Sequence, residues 1–329
     1  MQYFLLILGL VMIVKGADIL IDSSSKIAKR YGVPTFIIGI TVVAFGTSAP
    51  ELAVGIISGI THTNQLTLGN IIGSSLANTA MIIGISAIIM PLKVKDSVIR
   101  REIPILIGIQ VVLTIMLFAG GGLSRIDGGI LMIGFACFML YIIKDSKSAM
   151  KIENQVEAYV NTKGGNNQLY NEILDTENKE NFIKLWGYSI LSLAGLFLGG
   201  KLTVESSTSI AASLGLSETM IGLTVVAIAT TMPELITSVI AAYKKEPDIV
   251  LGNCIGSNIF NILLVLGFSS TISPISTNVS LWLDVAIMII LTIVVFIISW
   301  IRKKINGGAG IFLLISYVSY LIFKVITAI

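Results

Sequence analysis

Two short stretches hold the residues with the most chemical potential. Thr47-Ser48-Ala49-Pro50-Glu51 and Thr230-Thr231-Met232-Pro233-Glu234 each place small hydroxyl side chains just ahead of a proline and a glutamate, deep inside apolar runs. An ionised carboxylate in hydrocarbon costs at least about 2.5–3.5 kcal/mol on insertion scales, so two at matching places call for a purpose. The structural alternatives are that each is protonated, or paired with a lysine such as Lys15 or Lys201. Proline removes an amide hydrogen and clashes with the carbonyl four residues back, which frees carbonyls near residues 44–47 and 227–230. One helix further on, Gly69-Asn70-Ile71-Ile72-Gly73-Ser74 and Gly252-Asn253-Cys254-Ile255-Gly256-Ser257 follow in register. There Ser74 and Asn78, and likewise Ser257 and Asn261, stand at i and i+4 on one helical face. Hydrogen bonding between helices is their simpler role. Together these groups are hard oxygen donors with no soft ligand among them, a chemistry suited to Na⁺ or Ca²⁺.

The two stretches belong to an internal repeat. Residues 39–86 align with 222–269 at a constant offset of 183 without a gap, and 19 of the 48 positions are identical. Asp22-Ser23-Ser24 faces Glu205-Ser206-Ser207 at the same offset, and Ile126-Asp127-Gly128-Gly129 faces Ile305-Asn306-Gly307-Gly308 at a slightly different one. Gly69, Gly73, Gly252 and Gly256 are spaced four apart, as small residues are where membrane helices approach closely.

The elements that position these groups are membrane helices. The chain has 329 residues, 54% hydrophobic and only 12% charged, with a mean hydropathy of +0.91; a soluble chain carries about 25% charged residues. Apolar runs at about 3–24, 33–60, 67–91, 103–120, 126–143, 183–204, 217–242, 248–272, 281–301 and 308–328 give ten spans, each helical because lipid offers no partner to a bare amide. The fold class is therefore an all-α polytopic membrane protein. Of the 22 basic residues, 18 fall in alternate links and only Arg125 in the opposite set, which makes the rich links cytoplasmic and places both termini outside. The first apolar run reads as a membrane helix rather than a cleaved signal.

The chain divides into residues 1–144, a polar cytoplasmic linker at 145–182, and residues 183–329. The linker is too poor in apolar residues to form a core. Five spans per half is an odd number, so the second half enters the membrane inverted, a plan frequent in secondary transporters. Cys137 and Cys254 lie far apart in apolar segments, and the lone histidine, His62, sits in a polar link. Neither supports a disulfide framework or a zinc site. Soluble-enzyme and nucleic-acid-binding readings are excluded, and no soluble nucleotide domain is present for an ATP-driven pump.

The paired motifs resemble the alpha repeats of the cation/calcium exchanger superfamily, above all the prokaryotic sodium/calcium exchangers. The resemblance covers both repeats (39–86 and 222–269) and the ten-span plan, leaving mainly the linker unmatched. It implies that Glu51 and Glu234 are the central calcium ligands. By motif position it also implies Na⁺ or Ca²⁺ ligation by Thr47, Ser48, Ser74, Asn78, Thr230, Thr231, Ser257 and Asn261, with the carbonyls of Ala44 and Ala227. Relatives often read Gly-Thr-Ser in both repeats where this chain has Ala229-Thr230-Thr231, and some carry aspartate at the place of Asn261. In potassium-dependent relatives an acid there is tied to potassium, so its absence argues against potassium cotransport.

The expected function is antiport of Na⁺ against Ca²⁺ across the cytoplasmic membrane, with mutually exclusive occupancy of a midplane site. The ions are substrates, the bilayer is the only other expected partner, and neither an enzyme activity, a cofactor nor an obligate protein partner is implied. The alternatives are Ca²⁺/H⁺ antiport at the same glutamates and, from another class, a passive cation channel. The orientation has a direct test in a chain whose two cysteines are replaced by alanine. Lys163→Cys should react with a membrane-impermeant maleimide only in inside-out vesicles, and Arg125→Cys only in right-side-out vesicles; the reverse pattern overturns it.

Overall fold

A computed structural model describes residues 1–60, 64–162, 182–214, 226–276 and 281–328. It is almost wholly helical. Among the described residues eight helical segments are long and apolar enough to cross a membrane: 2–28, 67–89, 98–119, 125–146, 184–210, 247–272, 282–302 and 307–324. A ninth is bent, with Thr35–Thr47 and Ala49–Ile60 meeting at 47°. The shorter apolar helix Ile228–Tyr243 covers the latter part of the run expected at 217–242, whose beginning lies outside the described residues.

In chain order, α1 is Gln2–Tyr31. The bent segment holds α2 (Thr35–Ile38), a π-helical turn over Gly39–Val43, α3 (Ala44–Thr47) and α4 (Ala49–Ile60). Next come α5 (Asn64–Leu76), a π turn at Ala77–Ile82 and α6 (Ile83–Ile89), then strand β1 (Leu92–Lys93). Helix α7 (Ile103–Ala119), strand β2 (Gly122–Leu123) and α8 (Arg125–Thr162) follow. Beyond the polar segment lie α9 (Phe182–Ser213), α10 (Ala227–Tyr243) and α11 (Pro247–Phe260). A π turn at Asn261–Leu266 leads to α12 (Gly267–Ile272) and β3 (Ile275–Ser276). The chain finishes with α13 (Trp282–Arg302), β4 (Lys304–Ile305) and α14 (Gly307–Ala328). Helix α8 continues unbroken into the polar segment as far as Thr162.

Burial separates the centre from the rim. Over an 18-residue stretch of each span, 78% of residues are buried in the segment through α5 and α6 and 94% in that through α11 and α12; the other six range from 17% to 39%. A helix enclosed on all sides must present small or mutually bonded polar groups to its neighbours, and α11 does so with Gly252, Asn253, Gly256, Ser257 and Asn258. The rim instead turns Ile57, Ile60, Leu140, Ile190 and Ile301 outward, the surface a bilayer covers.

Glycine sets how closely the central helices cross. A β-carbon on Gly252 would stand 2.7 Å from the carbonyl oxygen of Phe36, and one on Gly256 2.7 Å from both the Ile40 oxygen and the Ala44 β-carbon. The segment before the first glutamate motif therefore lies directly on α11. Helices α1 and α9 meet in the same manner, since a β-carbon on Gly199 would sit 2.8 Å from the Gly9 oxygen. On Gly200 it would come within 2.8 Å of the Pro50 ring, so α9 also rests against the first kink.

Two antiparallel ribbons tie the links. In one, Leu92 pairs with Ile305 and Lys93 with Lys304; in the other, Gly122 pairs with Ser276 and Leu123 with Ile275. Ion pairs gather in the links rich in basic residues. Lys303 binds Asp96 and holds its carboxyl below the ordinary range, Lys95 meets Asp248 at 2.5 Å, and Lys244 reaches Asp18 at 2.6 Å and Asp22 at 2.7 Å. The close crossing yields a prediction. Gly256→Ala should lower the thermal midpoint in detergent, by about 1–3 kcal/mol of overpacking. Gly108→Ala, where a β-carbon meets nothing within 4 Å, should not, and equal midpoints would show that the crossing tolerates the methyl group.

Candidate functional site

The proline motifs bend differently in the two segments. At the first, the helix breaks at Ser48 (φ −81°, ψ 5°), and α4 restarts with Pro50 and Glu51 in its first turn. Pro50 lacks an amide hydrogen, which leaves the Gly46 carbonyl without its helical partner. The Ala44 carbonyl is less free than proline alone suggests, since it accepts the Ser48 amide at 3.0 Å, with the Thr47 hydroxyl oxygen 3.2 Å away. Pro233, by contrast, lies inside a continuous α10. Ala227 opens that helix.

Both glutamates are fully buried. Among the described residues, neither oxygen of Glu51 has a hydrogen-bond partner, nor has Oε2 of Glu234. Glu234 Oε1 accepts the Ser48 hydroxyl at 3.1 Å. Glu51 stands near the hydroxyls of Ser74 and Thr230 and feels the charge of Glu234. The lysines that might have neutralised them do not: Lys15 is exposed, and Lys201 is exposed and turns to Glu205 at 3.8 Å.

A web of neutral groups surrounds the two acids and crosses between the motif segments. The Thr47 hydroxyl donates to Asn253 Oδ1 at 2.9 Å and lies 3.4 Å from the Ser257 hydroxyl. The Thr230 hydroxyl donates to Asn70 Oδ1 at 3.2 Å, a bond related to the Thr47–Asn253 pair by the same offset of 183. The hydroxyls of Ser74 and Thr231 are 3.2 Å apart. Asn78 Nδ2 donates to Asn258 Oδ1 at 3.0 Å, and Asn258 Nδ2 to the Thr79 hydroxyl at 2.9 Å. The counterpart of the Asn78–Asn258 bond would join Asn261 to Ser75. It is not made: the Asn261 amide and the Ser75 hydroxyl are buried without partners among the described residues.

Thr47, Ser48, Glu234 and Ser257 are thus joined through Asn253, while Thr230 bonds Asn70, Ser74 meets Thr231 and Asn78 bonds Asn258, with Glu51 near Ser74 and Thr230. Asn261 lies one turn beyond Ser257 at the start of a π turn, and Asn78 sits in the corresponding π turn after α5; such turns recur at functional sites. Asn70, Asn253, Asn258 and Thr79 were not singled out by residue type. For the first two a signal existed, since both are identical at the offset of 183. The arrangement combines unpartnered hard oxygens (Glu51, Glu234 Oε2, Asn78 Oδ1, Asn261 Oδ1) with buried hydroxyls. Each buried group without a partner costs about 1–3 kcal/mol, and oxygens of this kind are the donors that Na⁺ and Ca²⁺ take. Among the described residues no group of three or more His, Cys, Asp or Glu assembles into a metal cluster.

Comparison with known proteins agrees with this chemistry. The sodium/calcium exchanger protein family matches residues 1–144 and 184–326. The chain is 32% identical to the inner membrane protein YrbG of Escherichia coli, over 96% of this chain and 94% of that protein. It is also 32% identical to the sodium/calcium exchanger MaX1 of Methanosarcina acetivorans, over 98% and 97%. Among solved structures, the sodium-calcium exchanger NCX_Mj soaked with 2.5 mM Na⁺ and 0.1 mM Ca²⁺ superposes with a TM-score of 0.80 at 28% identity, over 97% of both chains.

The unpartnered carboxylate makes a prediction about stability. In chelator-containing, ion-free buffer Glu51→Gln should melt at a higher temperature than the parent chain, by roughly 1–3 kcal/mol, because it removes a buried charge that repels Glu234. A lower midpoint would show that the carboxylate is compensated within the protein.

Proposed function

The chain belongs to the sodium/calcium exchanger family, and from that premise we propose that it exchanges Na⁺ for Ca²⁺ across the cytoplasmic membrane at one midplane site built on Glu51 and Glu234. The observation that carries this reading is the pair of buried glutamates, one from each motif segment, with oxygens left for a cation and a bonded web of hydroxyls around them. Thr47, Ser48, Ser74, Asn78, Thr230, Thr231, Ser257 and Asn261 complete the ligand set with the carbonyls of Ala44 and Ala227. Different subsets serve the two ions.

Charge supplies the coupling. Two carboxylates balance one Ca²⁺ or two Na⁺; both loads together would leave a net positive charge in a site of low permittivity. Two like charges ~4 Å apart repel by about 4 kcal/mol even at an effective permittivity near 20. The empty site therefore resists closing over and crossing, while either neutral load permits it. A third Na⁺ leaves one positive charge to be offset by carbonyl dipoles, since Asn261 brings no carboxylate.

The proposed architecture is ten spans in two inverted five-helix halves, 1–144 and 183–329, joined by a cytoplasmic linker at 145–182, with both termini outside. Three features favour it. The Thr47–Asn253 and Thr230–Asn70 bonds are related by one offset. The ribbon of β1 with β4 matches that of β2 with β3 to within one residue of the same offset. The π turns at 77–82 and 261–266 lie at nearly equivalent places. Alternating access then follows from two similar halves exchanging conformations around a shared site.

The decisive experiment is ⁴⁵Ca²⁺ flux in proteoliposomes with Na⁺, H⁺ and K⁺ gradients imposed one at a time. Flux should follow the Na⁺ gradient, ignore K⁺, and vanish in Glu51→Gln; full exchange by that variant refutes the role of Glu51. The unpartnered oxygens of Glu51 are also where a proton would bind. Flux driven by a pH gradient without Na⁺ would select Ca²⁺/H⁺ exchange, and flux indifferent to every counter-ion gradient would select a channel.

A further inference from the structure

A hydroxyl that ligates a cation must point its hydrogen elsewhere, so a threonine ligand needs an acceptor on its far side. At Thr47 that acceptor is Asn253 Oδ1, 2.9 Å away. Its identity as oxygen is fixed by the other end of the amide. Asn253 Nδ2 faces the backbone carbonyl of Glu234 at 3.3 Å and the Ser238 hydroxyl at 3.0 Å, and a carbonyl can only accept. Thr47 must therefore donate to Asn253. Its single hydrogen is committed at a shorter distance than the 3.2 Å to the Ala44 carbonyl. The Ser257 hydroxyl, 3.4 Å away, can donate to one threonine lone pair; the other, and one on Ala44, are left available.

The same bond recurs where Thr230 donates to Asn70 Oδ1 at 3.2 Å. Both asparagines are buried, at 0% and 2% exposure, and each belongs to the motif segment opposite its threonine. The anchoring differs. Gly55 occupies the place equivalent to Ser238, so Asn70 has no hydroxyl there to hold, and its Nδ2 is unpartnered among the described residues.

We propose that Asn253 and Asn70 are positioning residues for transport: each takes the hydroxyl hydrogen of a threonine on the opposing segment and so turns that threonine's lone pairs to the cation. This rests on Thr47 and Thr230 being ligands. It also makes each ligand's orientation depend on contact between the two segments, so that a shift of one segment past the other releases the hydroxyl and weakens the site.

The test is a pair of double-mutant cycles read by ⁴⁵Ca²⁺ binding and Na⁺-driven uptake with the full chain. Asn253→Ala and Asn70→Ala should each raise the half-saturating Ca²⁺ concentration roughly tenfold, the scale of one lost hydrogen bond, with a smaller change in maximal rate. Asn253→Ala should add nothing in a Thr47→Val background, nor Asn70→Ala in a Thr230→Val background. Additive effects would mean that the asparagines only brace the helices, and the inference fails. If the threonine variants weaken Ca²⁺ binding while the asparagine variants do not, the inference fails and the ligand reading stands; if the threonine variants change nothing, the ligand reading itself fails. Should Asn253→Ala not fold, the cycle at Asn70 decides, because that side chain makes only the bond in question among those described.

Discussion

Two fully buried carboxylates, Glu51 and Glu234, have no neighbouring cationic side chain among the described residues. That constraint organises the rest. Lys201, which might have compensated, lies exposed on α9 and turns toward Glu205. The surroundings answer with neutral oxygens: hydroxyls of Thr47, Ser48, Ser74, Thr230, Thr231 and Ser257, and amides of Asn70, Asn78, Asn253 and Asn258. A web of that kind tolerates the charge without cancelling it. Full cancellation by a lysine would leave no net negative charge there to attract a cation.

The packing serves the same end. Polar groups from the two motif segments can bond across only if backbones come within a few ångströms, and glycine allows this at the crossing of α11 with the segment before Pro50. The helices that hold the amides and serines, α5 and α11, are the most enclosed in the molecule, and the broad apolar surfaces are left to the rim. Charged side chains are displaced to the links, where Lys244, Lys95 and Lys303 pair with aspartates. The short ribbons close the ends of these links and hold the peripheral helices to the centre.

The two motif segments are similar in sequence but not equivalent in geometry. The first bends by 47° at its proline, while the second passes through Pro233 as a continuous helix. Asn78 reaches Asn258, but Asn261 and Ser75 do not meet. Asn253 is anchored by Ser238, and Gly55 offers Asn70 nothing comparable. Such differences are what the proposed exchange of conformations between the halves needs, since a perfectly symmetric arrangement would have no distinct states to exchange.

Residue type and spacing alone were enough to mark a polytopic helical membrane protein, to find the repeat at an offset of 183, and to single out Glu51 and Glu234 with their hydroxyl partners. These follow from local rules: apolar length sets spans, and a charge in lipid is too costly to be incidental. What residue type could not decide is which groups bond to which. The expectation that proline frees the carbonyl of Ala44 stops at the backbone, whereas the folded chain shows that carbonyl already holding the Ser48 amide. Asn70 and Asn253 carried no assigned role by residue type; the opposing segment brings Thr230 and Thr47 against them. A hydrogen bond between residues some 160 to 206 positions apart depends on how two helices cross. That crossing is settled by the close fit of whole surfaces, not by the sequence near either partner.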